Sequence, residues 1–141
     1  MAALSRGSPR PPIVLSNSEA DVLYALALKW RERHPLSAKL LLDELERART
    51  VPEGELPADA VTMNSHVVFV DRAGGAEHSV QLVYPAAADM ARQRISVLTP
   101  IGAALIGMRP GREIDWPDRL GGRRKLRIVA VVQPRPQERA A

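Results

Sequence analysis

Three histidines, His34, His66 and His78, are the side chains here best suited to hold a transition metal or move a proton near neutral pH. Their spacing contains neither H-x-H nor H-E-x-x-H, and no cysteine is present to complete a thiolate set, so no metal site is expected. His66 and His78 fall on successive β patterns and could approach each other across a hairpin, yet two imidazoles without a third ligand are ordinarily only neighbours. Asp43, Glu44 and Glu46 cluster on a helical pattern, where Asp43 with Arg47 four residues on reads as a surface ion pair. Ser65, Ser79 and Ser96 lack a G-x-S-x-G elbow. Gly102, Gly107 and Gly111 do not match the G-x-x-x-x-G-K-[ST] phosphate loop; a helix beginning and ending between them accounts for their spacing. No residue set points to catalysis or to a cofactor, which leaves binding.

Composition narrows the kind of binding. With 141 residues and 45% hydrophobic content the chain can bury a real core, but aromatics make up only 4%, too few for a stacking platform for single-stranded nucleic acid. The net charge of +4 is unevenly placed: basic residues against acidic number eight to six in 1–50, three to six in 51–100 and nine to four in 101–141. A basic end and an acidic middle imply a polar surface with two differently charged faces. The first twelve residues, MAALSRGSPRPP, hold no apolar signal core, and no membrane-length stretch follows, so a cytoplasmic protein without membrane contact is expected.

Positioning falls to two helices and a sheet. Residues 1–12 carry three prolines and no hydrophobic period, which reads as a disordered tail. Ser18, followed by Glu19 and Asp21, marks a helix start, and Val22, Leu23, Leu26 and Trp30 make a stripe that ends at His34-Pro35. Ser37 can cap a second helix with apolar Ala38, Leu41, Leu42, Leu45 and Ala48. Residues 13–50 thus predict an antiparallel helical hairpin, a short coiled coil whose arms of about 13–16 residues project about 20–24 Å. Residues 51–60, with Pro52, Gly54 and Pro57 among acids, read as a linker. After it, 61–71 and 77–84 pair as a hairpin around Arg72-Ala73-Gly74-Gly75, and 89–94 forms a loop or single turn. A strand at 95–98, a helix at 101–108, a strand at 112–116, a turn at Leu120-Gly121-Gly122 and a long strand at 123–132 complete an antiparallel sheet with one short helix, an α+β module spanning 61–133. Residues 134–141 read as a second disordered tail.

Thr99 as cap, Pro100 at the first helical position and Gly107 as left-handed closure define the short helix within ISVLTPIGAALIGMRPGREIDW, residues 95–116. That segment resembles the C-terminal domain of the Gre transcript-cleavage factors, where a strand, a Pro-initiated A-L-[IL]-G helix and a glycine turn sit in an FKBP-like α+β domain. LPADAVTMNS at 56–65 and Leu82-Val83-Tyr84-Pro85 resemble the Rnk family of Gre-related regulators of nucleoside diphosphate kinase, which bind RNA polymerase. The resemblance spans residues 14 to 133 and implies a bacterial RNA polymerase-binding regulator of transcription elongation, not an enzyme.

The resemblance also says where to look. Gre factors present paired carboxylates to the catalytic magnesium at the tip of a long coiled coil, because that ion takes oxygen ligands. Here the tip reads Arg31-Glu32-Arg33-His34, one acid between two arginines. Glu32 is either a lone magnesium modifier or a solvated turn residue, and transcript cleavage is disfavoured. The loop entering the Pro-initiated helix contacts the rim of the polymerase secondary channel in Gre factors; the matching positions are Leu98, Thr99, Pro100 and Ile101, read as a short exposed edge with an apolar anchor. Asp-Ser-Pro is frequent there in Gre factors, and Leu-Thr-Pro would make the contact less ionic. Arg123, Lys125 and Arg127, near Arg119 and Arg124, fall on one face of the last strand, with Leu126, Ile128 and Val132 including positions for the other; this is either a contact face or a solvated one, and direct DNA binding is weak or absent. The implied action is occupancy, a monomer at the channel rim competing with Gre cleavage factors. Two rivals stand beside it: an FKBP-like prolyl isomerase, and a helical adaptor anchored by Leu40 or Leu28 on the outer hairpin.

Overall fold

The computed structural model describes residues 11–72, 74–117 and 122–134. Most of both expected tails, Ala73, Arg119 and Leu120-Gly121 of the expected turn lie outside the described residues. Among the described residues the fold is α+β, with three α-helices and a five-stranded sheet.

Strand β1, Val14–Ser16, runs directly into helix α1, Asn17–Trp30. The cap is Ser16 rather than Ser18: Ser16 is extended, and its Oγ accepts from the Glu19 amide at 3.2 Å. Ser18 instead donates to Glu53 Oε1 at 3.0 Å. Leu23 and Ala27 are buried, flanked by Ala20, Leu26 and Trp30, whereas Val22 lies one position off that stripe and is half exposed. Helix α1 ends at Trp30, and after a turn at 31–34 Pro35 opens α2, Pro35–Arg47, because its missing N–H costs nothing at the first helical position. Ser37 is therefore a buried residue inside the helix, not its cap. A second correction concerns Leu40, which is buried because α2 packs against both α1 and the third helix; Leu28 stays partly exposed. Asp43 pairs with Lys39 at 3.1 Å and not with Arg47, which grips the fully buried Glu44 through Nε and Nη2 at 3.0 and 2.7 Å. Arg47 Nη1 also donates to the Pro11 carbonyl at 2.5 Å, so that part of the expected tail is tied down.

Strand β2, Arg49–Val51, lies parallel to β1 and closes the base of the hairpin, an element absent from the sequence reading. The expected linker at 51–60 is consequently packed: Val51 and Ala60 join Val14 in a small cluster with Leu56 against it.

The main sheet has the order β5-β4-β3-β7-β6, with β3 His66–Asp71, β4 Ala76–Val83, β5 Arg94–Ser96, β6 Glu113–Pro117 and β7 Arg123–Val132. It is mixed rather than wholly antiparallel, since β5 returns parallel to β4 after the turns at 85–92. Strand β3 starts at His66, later than expected, because Thr62 and Ser65 form a buried hydroxyl-linked turn and Asn64 takes a left-handed φ of 69°. Between Val68 and Phe69 the register with β7 slips, Phe69 facing Ile128 and Val68 facing Ala130, which leaves Val129 as an extra residue. The bulge turns Val132 to solvent and puts Val131 on the core side, against strict alternation.

Helix α3, Pro100–Leu105, is shorter than the expected 101–108. The chain leaves it at Ile106, and Gly107, at φ 76°, donates to the Val61 carbonyl at 2.9 Å while accepting from Val14 at 3.1 Å. Backbone from β1, residue 61 and the end of α3 is thus laced together, and one apolar core runs from Leu23, Ala27 and Leu41 through Leu105 and Ile106 to Phe69, Trp116 and Ile128.

Glu19 adds a polar tie, accepting from the Met63 amide at 3.2 Å. Burial, reinforced by the negative charge of Glu19, raises the Tyr84 phenol above its usual 10.0. The unfolded chain then ionises first, so this contribution is intact below pH of about 10 and is lost as pH rises through the folded value. Urea denaturation followed into the alkaline range should show stability declining there, and Tyr84→Phe should flatten the decline.

Candidate functional site

The loop into α3 is built by side-chain oxygens. Ser96 Oγ accepts from the Leu98 amide at 3.0 Å, while Thr99 Oγ1 donates to the Ser96 carbonyl at 2.7 Å and accepts from the Gly102 amide at 3.0 Å. Gly102 permits the close approach this requires: a Cβ there would lie 2.1 Å from the Ser96 carbonyl oxygen and 2.8 Å from Val97 Cα, both backbone atoms that cannot swing aside. The helix N-terminus is therefore pressed onto the end of β5.

Beside it opens a cleft of about 670 Å³. Ala88, Met90, Ile95, Pro100 and Ile101 give it an apolar lining, with Asp89, Arg94, Ser96, Thr99 and Arg124 supplying polar groups. Arg124 comes from β7 and is held by Asp71, its Nε 2.9 Å from Oδ2. Asp89 is engaged locally, accepting from the Ala91 amide at 3.1 Å and lying 3.8 Å from Arg92. An apolar trough bordered by charged groups fits a protein surface better than a small polar substrate.

Of the four loop positions singled out from sequence, Thr99, Pro100 and Ile101 line this cleft. Leu98 does not, because it is buried at 5% exposure and belongs to the core. The expected exposed edge is thus narrower than four residues, and Pro100 is itself largely covered. Met90, 81% exposed, is the outstanding apolar group at the rim and was missed from sequence, although a methionine inside the polar run Asp89-Met90-Ala91-Arg92-Gln93 was the available signal. Asp71 and Arg124, 53 positions apart, meet only in three dimensions.

The other candidates sit elsewhere. Arg31, Glu32, Arg33 and His34 form an exposed four-residue turn, where the Arg33 guanidinium lies 5.5 Å from the Trp30 ring centroid and His34 is 5.7 Å from that ring. Arg123, Lys125 and Arg127 do share the outer face of β7, but β6 sets Glu113 across from Arg127 and Asp115 across from Lys125, the latter pair at 3.7 Å. Arg72 also reaches Glu113 at 2.6 Å, so much of this basic row faces carboxylates. His66 and His78 do not meet: they lie across from Gln81 and Phe69, and His78 stacks on Phe69 with centroids 5.2 Å apart. Among the described residues no group of three or more His, Cys, Asp or Glu could hold a metal ion, and no helix is long and apolar enough to cross a membrane.

Residues 56–133, more than half the chain, match the C-terminal domain of the GreA/GreB transcription elongation factors, and the chain belongs to that family. It is 36% identical over 107 residues to the regulator of nucleoside diphosphate kinase of Escherichia coli (strain K12), covering 76% of this chain and 79% of that one. Transcription elongation factor GreA of Mesorhizobium japonicum is 35% identical over 130 residues, 86% of this chain and 82% of the relative. A solved GreA/GreB elongation factor structure from Nitrosomonas europaea superimposes with a TM-score of 0.68 at 38% identity, covering 88% of this chain and all of that one.

The seat of α3 can be tested directly. Gly102→Ala should cost about 1–3 kcal/mol of unfolding free energy by chemical denaturation, because backbone must move to admit the methyl group.

Proposed function

We propose that this protein is a non-catalytic regulator of transcription elongation that docks on RNA polymerase through the cleft beside α3, at the rim of the secondary channel, and competes there with Gre cleavage factors. Residues 61–133 are the docking module, FKBP-like in the placement of α3 on the sheet, and residues 13–50 are a stubby arm. It acts in the cytoplasm as a monomer, and regulation of nucleoside diphosphate kinase, the role that the Escherichia coli relative's name carries, comes to it by family resemblance.

One observation carries the reading: an apolar cleft suited to a protein surface is joined to a tip with no acidic pair. Arg31 and Arg33 flank Glu32 in an exposed turn, and two cations beside one carboxylate oppose capture of a magnesium ion. Helix α1, with 14 residues, spans only about 21 Å. Such an arm can occupy an entrance without supplying catalytic oxygens.

The isomerase rival loses ground because no aromatic side chain lines the cleft among the described residues. The adaptor reading loses Leu40, which is buried, and keeps only Leu28.

The protein should be retained by core polymerase in a pull-down at moderate salt, should lower Gre-stimulated transcript cleavage and should stimulate none. Met90→Glu, at a site exposed enough to leave folding untouched, should weaken polymerase binding roughly tenfold or more, as replacing an apolar contact by a charge does. Absence of binding, or cleavage stimulated by the protein alone, would remove the proposal.

A further inference from the structure

A second cleft, of about 220 Å³, lies at the base of the hairpin, away from the α3 loop. Pro12 and Val51 provide apolar walls, and three arginines line it: Arg49 from β2, Arg109 from the turn after α3, and Arg112 at the approach to β6. Arg109 uses its Nε on Asp59 Oδ1 at 2.8 Å. Neither Arg49 nor Arg112 has a carboxylate within ion-pair distance among the described residues, and Glu55, exposed, is the single acid in the lining.

With Arg109 already paired to Asp59, the Arg49 and Arg112 guanidiniums set against the one lining carboxylate, Glu55, leave an excess of positive charge in the cleft. The fork of N–H donors on each arginine matches the oxygens of a phosphate group and can hold it through paired hydrogen bonds. A carboxylate is planar and singly charged, so one arginine satisfies it; a phosphate with up to two charges and oxygens in tetrahedral directions can engage cations from different sides. Size narrows the ligand further. At about 30 Å³ per water the cleft holds the equivalent of about seven waters, below the roughly 300–1,000 Å³ of pockets that enclose a whole drug-sized ligand. It has room for a phosphate or diphosphate group, with any base and sugar left outside.

We propose that this cleft is an oxyanion site for the phosphate or diphosphate group of a nucleotide or an RNA end, held by Arg49 and Arg112 and bordered by Arg109. Because Arg49 belongs to the hairpin base and Arg112 to the sheet, the bound anion bridges the two, and binding stabilises the fold by linkage.

Inorganic pyrophosphate titrated into the full chain at constant ionic strength, by calorimetry and by thermal melting, tests this. The site predicts saturable binding and a raised Tm, with affinity lowered roughly tenfold or more in Arg49→Gln and in Arg112→Gln, each the loss of a charge-assisted pair. Arg127→Gln, on the outer sheet face, should leave binding unchanged, and Glu55→Gln, which removes the competing negative charge, should tighten it. Competition by ADP or by a 5′-phosphorylated oligoribonucleotide would support the site and identify which source supplies the phosphate. No saturable binding, or equal weakening by Arg127→Gln, would reduce the effect to diffuse attraction and overturn the proposal. So would Glu55→Gln lowering the affinity.

Discussion

Leu41 of α2 and Leu105 of α3 are fully buried in the same apolar core, and the packing of those two helices fixes the hairpin on the sheet. Each large side chain withdrawn from water there contributes about 1.5–3 kcal/mol, and Leu23, Leu41, Leu105, Ile106 and Trp116 are all buried at the junction or beside it. Directional bonds then set the angle. Gly107 bridges β1 and Val61, Arg47 joins Glu44 to the Pro11 carbonyl, and Glu19 holds the Met63 amide. Losing Arg47 would strip the buried Glu44 carboxylate of its guanidinium, and breaking a buried pair in this way costs about 3–5 kcal/mol.

From this constraint the functional geometry follows. An arm swinging on a flexible linker would sample many directions, whereas one sharing its core with the sheet presents its tip at a single place relative to the cleft beside α3. The arm's shortness then matters more, since no hinge extends its reach. Membership of the GreA/GreB family brings the sheet and the α3 loop, while the tip, with Glu32 between Arg31 and Arg33, lacks an acidic pair.

Local signals were readable and non-local ones were not. Thr99, Pro100 and Gly107 announce the ends of α3 because caps and left-handed closures depend on a few adjacent residues. Ser16 and Ser18 compete as caps on equal chemical terms, and pairing of β1 with β2, 35 positions away, holds Ser16 in the extended conformation a cap needs. Leu40 looked like an outer-face residue because a two-helix pattern cannot reveal that a third helix covers it. The parallel approach of β5 and the extra residue at Val129 depend on the route between strands and on a register slip, neither of which alters hydrophobic alternation enough to be seen. Part of the cleft was likewise legible through Thr99, Pro100 and Ile101, while Met90 and Arg124 were brought to it by the turns at 85–92 and by β7.

Native-state hydrogen exchange tests the shared core most directly, by comparing the amide of Leu41 in the hairpin with that of Leu126 in β7. If arm and sheet are one body, both amides exchange only through global opening, with the same free energy and the same denaturant dependence. Exchange of Leu41 at a markedly lower free energy, with Leu126 still protected, would show an arm that opens independently and would contradict the account.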